Sequence, residues 1–128
     1  MMREFFYSRI RSFGYAFSGW WFVIKTQRNA WIHAIASVMV IALALWLAIP
    51  ERDLAVLILT IGFVWAAEFF NTALEAVVDL STPAHHPLAR VGKDVGAAAV
   101  LIAALVSAVI GVLLLGPPLA TKLATLLS

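Results

Sequence analysis

The sequence predicts an all-α integral membrane protein: three transmembrane helices preceded by an amphipathic helix on the membrane surface. Of the 128 residues, 63% are hydrophobic and only 12% are charged. A soluble domain of this length could not cover so much apolar surface with so few polar groups. The apolar residues gather into three runs, each near the roughly 20 residues needed to cross hydrocarbon. Charges, prolines and aromatic residues separate those runs. A single domain, residues 1–128, accounts for the whole pattern.

Residues 3–26 read as the surface helix. Arg3, Arg9 and Arg11 mix there with aromatics, and nine of the fifteen aromatic residues fall between Phe5 and Phe22. Arginine mixed with aromatic rings belongs at the water–lipid boundary. No small-residue cleavage site follows, so the segment does not read as a signal peptide. The first span covers about 31–49 and ends at "PERD", where Pro50 and three charges predict a tight turn. The second begins near Leu54 and runs helically to residue 80. "STPAHHPLARVGKD", residues 81–94, is a polar connection broken by Pro83 and Pro87. The third span covers about 95–115. Pro117 and Pro118 end it and leave a short tail, residues 117–128.

Basic residues set the orientation. Five Lys and Arg precede the first span and two lie in the 81–94 connection, against one in "PERD" and one in the tail. Seven against two places the amino terminus in the cytoplasm. Cysteine is absent, which excludes disulfides and thiolate metal sites. Nothing in the chain points to nucleic acid.

The second span ends in "EFFNTALEAVVD", and there the chemistry concentrates. Glu68, Asn71, Glu75 and Asp79 fall within an arc of roughly 80° at about 100° per residue, one polar stripe on an apolar helix. Each charge costs on the order of 3 kcal/mol if it faces lipid, so the stripe must face protein, water or a bound ion. Three like charges on one face repel unless a cation joins them. Carboxylates at helical spacing near a surface make a Mg²⁺ site with room for phosphate.

"VGKDVG" adds Lys93 and Asp94 at the start of the third span, level with the lower end of the stripe. A lysine there neutralises phosphate, and the aspartate fixes the lysine or joins the ion shell. Gly96, Ala99, Ala103, Ser107 and Gly111 form a stripe of small residues, the pattern by which spans approach closely. That predicts self-association. The glycine-rich loops that cradle nucleotide phosphates are missing, so helix ends, a lysine and a metal must take their place.

These residues together resemble a known family. E-x-x-N-T-A-[IL]-E-x-x-V-D in a second span, then "HPLA" and a Lys-Asp pair before a small-residue third span, is similar to the prokaryotic diacylglycerol kinases. That family includes the undecaprenol kinases. "GYAFSG" at 14–19 and "RNAWIH" at 28–33 add to the likeness, which runs from about Arg9 to Gly116. The resemblance implies a homotrimeric enzyme of the bacterial inner membrane. It would transfer the γ-phosphate of Mg·ATP to the hydroxyl of a membrane lipid, and "RNAWIH" favours undecaprenol over diacylglycerol.

By motif position the resemblance makes Glu68 the general base and Asn71 the residue that positions the carboxylate or phosphate. Glu75 becomes the metal ligand, and Lys93 and Asp94 would hold the ATP phosphates. Tyr15 and His86 match positions near the nucleotide, and Arg9 or Arg11 matches an arginine expected close to the amino terminus. Gln27 stands where the family has a second metal-binding glutamate; its carbonyl oxygen can still ligate, with one charge fewer. Asp79 is a further candidate ligand. Phe70 replaces an aliphatic residue of the motif. Two rival readings follow from the residues: a small oligomeric carrier whose acidic stripe couples to cations, and a catalytically impaired homologue, motivated by Gln27.

Overall fold

The computed structural model describes residues 2–82 and 86–127, with residues 5 and 6 as backbone only. Pro83 and His85 lie outside the described residues. The chain forms four helices: α1, Met2–Thr26; α2, Arg28–Leu47; α3, Glu51–Ser81; and α4, Pro87–Leu127. No strand occurs among the described residues. The last three helices are each long and apolar enough to cross a membrane. The all-α membrane fold class is therefore the one observed.

The boundaries follow from local chemistry. Gln27 adopts an extended backbone and separates α1 from α2. The α2–α3 turn is shorter than "PERD" predicts, because it uses Ala48, Ile49 and Pro50 and leaves the three charges to the helix. Ala48 takes the left-handed conformation (φ 52°), and the Ile49 N–H bonds back to the Ala44 carbonyl at 3.3 Å. Pro50 then caps α3, where Glu51 and Asp53 in the first turn complement the helix dipole.

The polar connection is also shorter than 81–94. Pro87 opens α4, a position where its missing N–H is no loss. The Leu88 N–H donates to His86 Nδ1 at 3.2 Å and caps the start. Lys93 and Asp94 therefore sit in the second turn of α4 and not at its entry. At the far end α4 does not stop at Pro117 and Pro118 but continues to Leu127. Gly116 has no Cβ to clash with the following ring, which removes much of the usual penalty. Lys122 then anchors the extension, donating to the Trp46 carbonyl at 2.6 Å with its ammonium 4.4 Å from the Trp46 ring centre.

The three spanning helices run antiparallel in succession. Along α2 and α3, His33 meets Glu68, Ser37 meets Trp65 and Ala44 meets Leu57. Along α3 and α4, Asp79 meets Lys93, Asn71 meets Gly96, and the Thr60 carbonyl accepts from Ser107 at 3.2 Å. Two apolar clusters brace this bundle. One joins Val23 and Ile24 of α1 to Ala30, Trp65 and Phe69; the other joins Ala44, Leu57 and Leu115. Most other large apolar side chains, Phe70 among them, are exposed, as expected of helices whose solvent is hydrocarbon.

Part of the small-residue stripe works inside this chain. Gly96 and Ala103 are buried and Ser107 bonds α3, whereas Ala99 faces outward. The stripe thus brings α4 onto α3, a role for which subunit contact is not needed.

Candidate active site

The polar stripe of α3 faces the rest of the bundle, and its members have different surroundings. Glu68 is buried, with 2% of its side chain exposed, and faces His33 of α2. One turn on, Asn71 Nδ2 donates to Glu75 Oε1 at 3.1 Å. Thr72 returns its hydroxyl to the Glu68 carbonyl at 2.9 Å and adds no free donor. Asp79 lies at the exposed end, where its Oδ1 accepts from Lys93 Nζ at 2.5 Å. Helical spacing alone placed these four on one face; packing grades them from dry to wet.

The placement of α4 decides the lower half. A methyl group at Gly96 would collide with Asn71 Oδ1, so glycine there lets the helix backbone lie against the amide. Gly92 lies one turn earlier on the same edge, facing Val78. That approach carries Lys93 to Asp79. Asp94 does not fix the lysine, because adjacent helical residues point about 100° apart. It pairs instead with Arg90 at 3.8 Å, with 71% of its side chain exposed.

His33 is the residue that the sequence reading missed. Its Nε2 stands 3.8 Å from Glu68 Oε2, and Trp65 packs edge-on against its ring with centres 6.3 Å apart. The Trp65 indole N–H in turn donates to Ser37 Oγ at 3.2 Å, while the Ser37 hydroxyl donates to the His33 carbonyl at 2.6 Å. The signal was present: an ionisable residue within a span marks a functional site by default. His33 Nε2, Glu68 Oε2 and Asn71 Oδ1 are buried with no hydrogen-bond partner among the described residues. Such atoms in a native fold call for a missing partner.

The remaining candidates sit elsewhere. Tyr15 is exposed on α1 beside Arg11 and Ser12, and His86 is the cap of α4. Gln27 is half-buried at the α1–α2 break and makes no side-chain cap bond. Among the described residues no three His, Asp or Glu side chains converge on one point. Asp79 is taken by Lys93, which leaves Glu75 as the accessible carboxylate. A hard oxygen donor of this kind fits Mg²⁺, which keeps several waters and takes one or two carboxylates together with phosphate oxygens.

Buried acid, half-exposed acid and lysine in descending order can meet a membrane-embedded group at one end and a phosphate at the other. Comparison with known proteins agrees. Residues 14–115 match the family described as Prokaryotic diacylglycerol kinase. The chain is 45% identical over 109 residues to a protein named diacylglycerol kinase from Synechocystis sp., covering 84% of this chain and 62% of that one. It thus spans less than two thirds of that relative's length. It is 38% identical over 109 residues to an undecaprenol kinase from Bacillus subtilis, covering 85% and 89%. To a diacylglycerol kinase from Escherichia coli it is 33% identical over 113 residues, covering 83% and 87%. The chain belongs to the prokaryotic diacylglycerol kinase family, whose members are lipid kinases of the membrane.

Proposed function

We propose that this chain transfers the γ-phosphate of ATP to the hydroxyl of a membrane lipid alcohol. The observation that carries the reading is the buried, unpartnered Glu68 Oε2 at the membrane end of a stripe whose other end holds Lys93. A general base must reach a hydroxyl that stays in the lipid, and Glu68 lies fourteen residues past Leu54, inside the apolar part of α3. Glu68 takes the hydroxyl proton as the lipid oxygen bonds to the γ-phosphorus. The bond from that phosphorus to the bridging oxygen breaks, and ADP leaves with its electron pair.

The other residues position and neutralise. Asn71 holds Glu75 by its amide and keeps that carboxylate beside Glu68. Glu75 would hold Mg²⁺, with Gln27 as a second oxygen ligand; such an ion would supply positive charge for the transferring phosphates. Lys93 exchanges Asp79 for the ATP phosphates, and Asp94, Tyr15 and His86 complete the nucleotide contacts. The excess of basic residues at both ends that face Glu75 supports a cytoplasmic amino terminus, the side that holds ATP. Undecaprenol is the favoured acceptor on the "RNAWIH" segment, and relatives carrying both names match this chain. A homotrimer is the favoured assembly, on the resemblance.

The test is a side-by-side assay. Full-length protein in mixed micelles with Mg²⁺ and labelled ATP is given undecaprenol or diacylglycerol. Transfer to undecaprenol at the higher kcat/KM is expected; a higher value for diacylglycerol reverses the preference, and transfer to neither removes the kinase reading.

A further inference from the structure

His33 Nε2 and Glu68 Oε2 face each other at 3.8 Å, both buried and both without a partner among the described residues. That separation is too long for a direct hydrogen bond. Two such atoms left unpaired cost on the order of 1–3 kcal/mol each. One oxygen about 2.8 Å from each would satisfy both once the His33 and Glu68 side chains part to admit it. It would give a hydrogen to the carboxylate and accept one from the imidazole N–H, as an alcohol oxygen does.

A second observation says what else that alcohol carries. His33 stands at the head of an open groove of about 660 Å³ between α2, α3 and α4. Its walls include Ile32, Ala36, Val64, Ala108, Gly111 and Leu119. The hydroxyls along it are already engaged: Ser37 with the His33 carbonyl, Thr60 with the Leu57 carbonyl and Ser107 with the Thr60 carbonyl. Along α2 the groove extends from Ile32 to Leu43, about 16 Å at 1.5 Å per residue, roughly half the hydrocarbon thickness. It runs from His33, the neighbour of Glu68, away from the Lys93 end and along the apolar part of the bundle.

We propose that His33 positions the acceptor: its Nε2–H holds the lipid hydroxyl oxygen against Glu68, and the lipid's hydrocarbon chain lies in the groove below. The occupant is a lipid chain and not a helix of a second copy, because an apolar helix would leave both polar atoms at the head unpaired. This rests on Glu68 being the base for a lipid alcohol. His33 is then a positioning residue for the acceptor and contributes nothing to the nucleotide.

Three variants of the full-length protein test it in mixed micelles, with undecaprenol, dioleoylglycerol and short-chain dibutyrylglycerol as acceptors. His33→Phe should lower kcat/KM for each acceptor about tenfold, the worth of one buried hydrogen bond, while KM for ATP stays within twofold. His33→Gln keeps an N–H donor and should recover most of the loss. A Cβ added at Gly111 meets nothing within 4 Å, so Gly111→Leu should raise KM for the two long-chain lipids while sparing dibutyrylglycerol. An unchanged acceptor KM and kcat in both His33 variants overturns the inference, as does an equal loss for ATP. A Gly111→Leu effect confined to oligomeric state gives the groove to a second copy and overturns it too. Failure of the wild type to phosphorylate any acceptor removes the underlying kinase reading and this inference with it.

Discussion

Glu68 and Glu75 lie two turns apart on one helix face, yet packing gives them different work. Glu68 is buried beside His33 of α2, whereas Glu75 is partly open and held by Asn71. Glu68→Gln keeps shape and removes the proton acceptor, so kcat should fall by about 10² or more while labelled nucleotide still binds. Full activity in that variant would move the base elsewhere. Glu75→Ala should leave kcat at saturating metal within roughly tenfold and raise the Mg²⁺ concentration needed for half-maximal rate. A Mg²⁺ titration curve superimposable on the wild type would take Glu75 out of the metal site. The Lys93–Asp79 pair belongs to this scale too. With 39% and 65% of their side chains exposed, the pair adds at most about 1 kcal/mol of stability. Its value is to keep an ammonium ready beside the site.

Among elements, the contact between α3 and α4 sets the site's geometry. Gly96 is its tightest point, where the helix backbone lies against the Asn71 amide. Gly96→Ala puts a methyl group where Asn71 Oδ1 now sits, so the amide must swing away and release Glu75. Alanine raises helix propensity by about 1 kcal/mol, which offsets the crowding. Thermal stability should therefore shift by only about 1 kcal/mol while kcat drops about tenfold, read from melting curves and the kinase assay on the same sample. Unchanged turnover would show that Asn71 does not need its bond to Glu75. The α4 extension beyond Pro117 is a separate contact, tied to α2 through Lys122 and Trp46. It ties the chain at the end of the bundle away from Lys93, beyond the cluster that Leu114 and Leu115 join.

At the scale of the molecule, three spans give a thin scaffold whose apolar side chains mostly face outward. Tyr15, Arg9 and Arg11 lie on the exposed part of α1, whose buried side chains among the described residues are Val23 and Ile24 near its end. The proposed contact of Tyr15, and of Arg9 or Arg11, with nucleotide is readily met if α1 of one copy covers the site of another. Native mass spectrometry of the protein released from membranes should therefore show three copies. A monomer that retains full activity would end both the trimer and the shared site.

The sequence by itself determined the helical membrane class, the number of spans and the acidic face of α3. Those features come from composition and from 3.6-residue periodicity, which are properties of a chain before it folds. It also placed Lys93 near the stripe, through the order of the spans. Only the tertiary structure decided which atoms meet. Helix ends shifted where single side chains ruled: Gly116 let α4 pass two prolines, and His86 began α4 early enough to put Asp94 with Arg90. His33 was visible as a letter in "RNAWIH", but its nearness to Glu68 depends on the register of α2 against α3. Packing of Ala44 on Leu57 and of Trp65 under Ser37 fixes that register, and no local pattern encodes a distance between residues thirty-five positions apart.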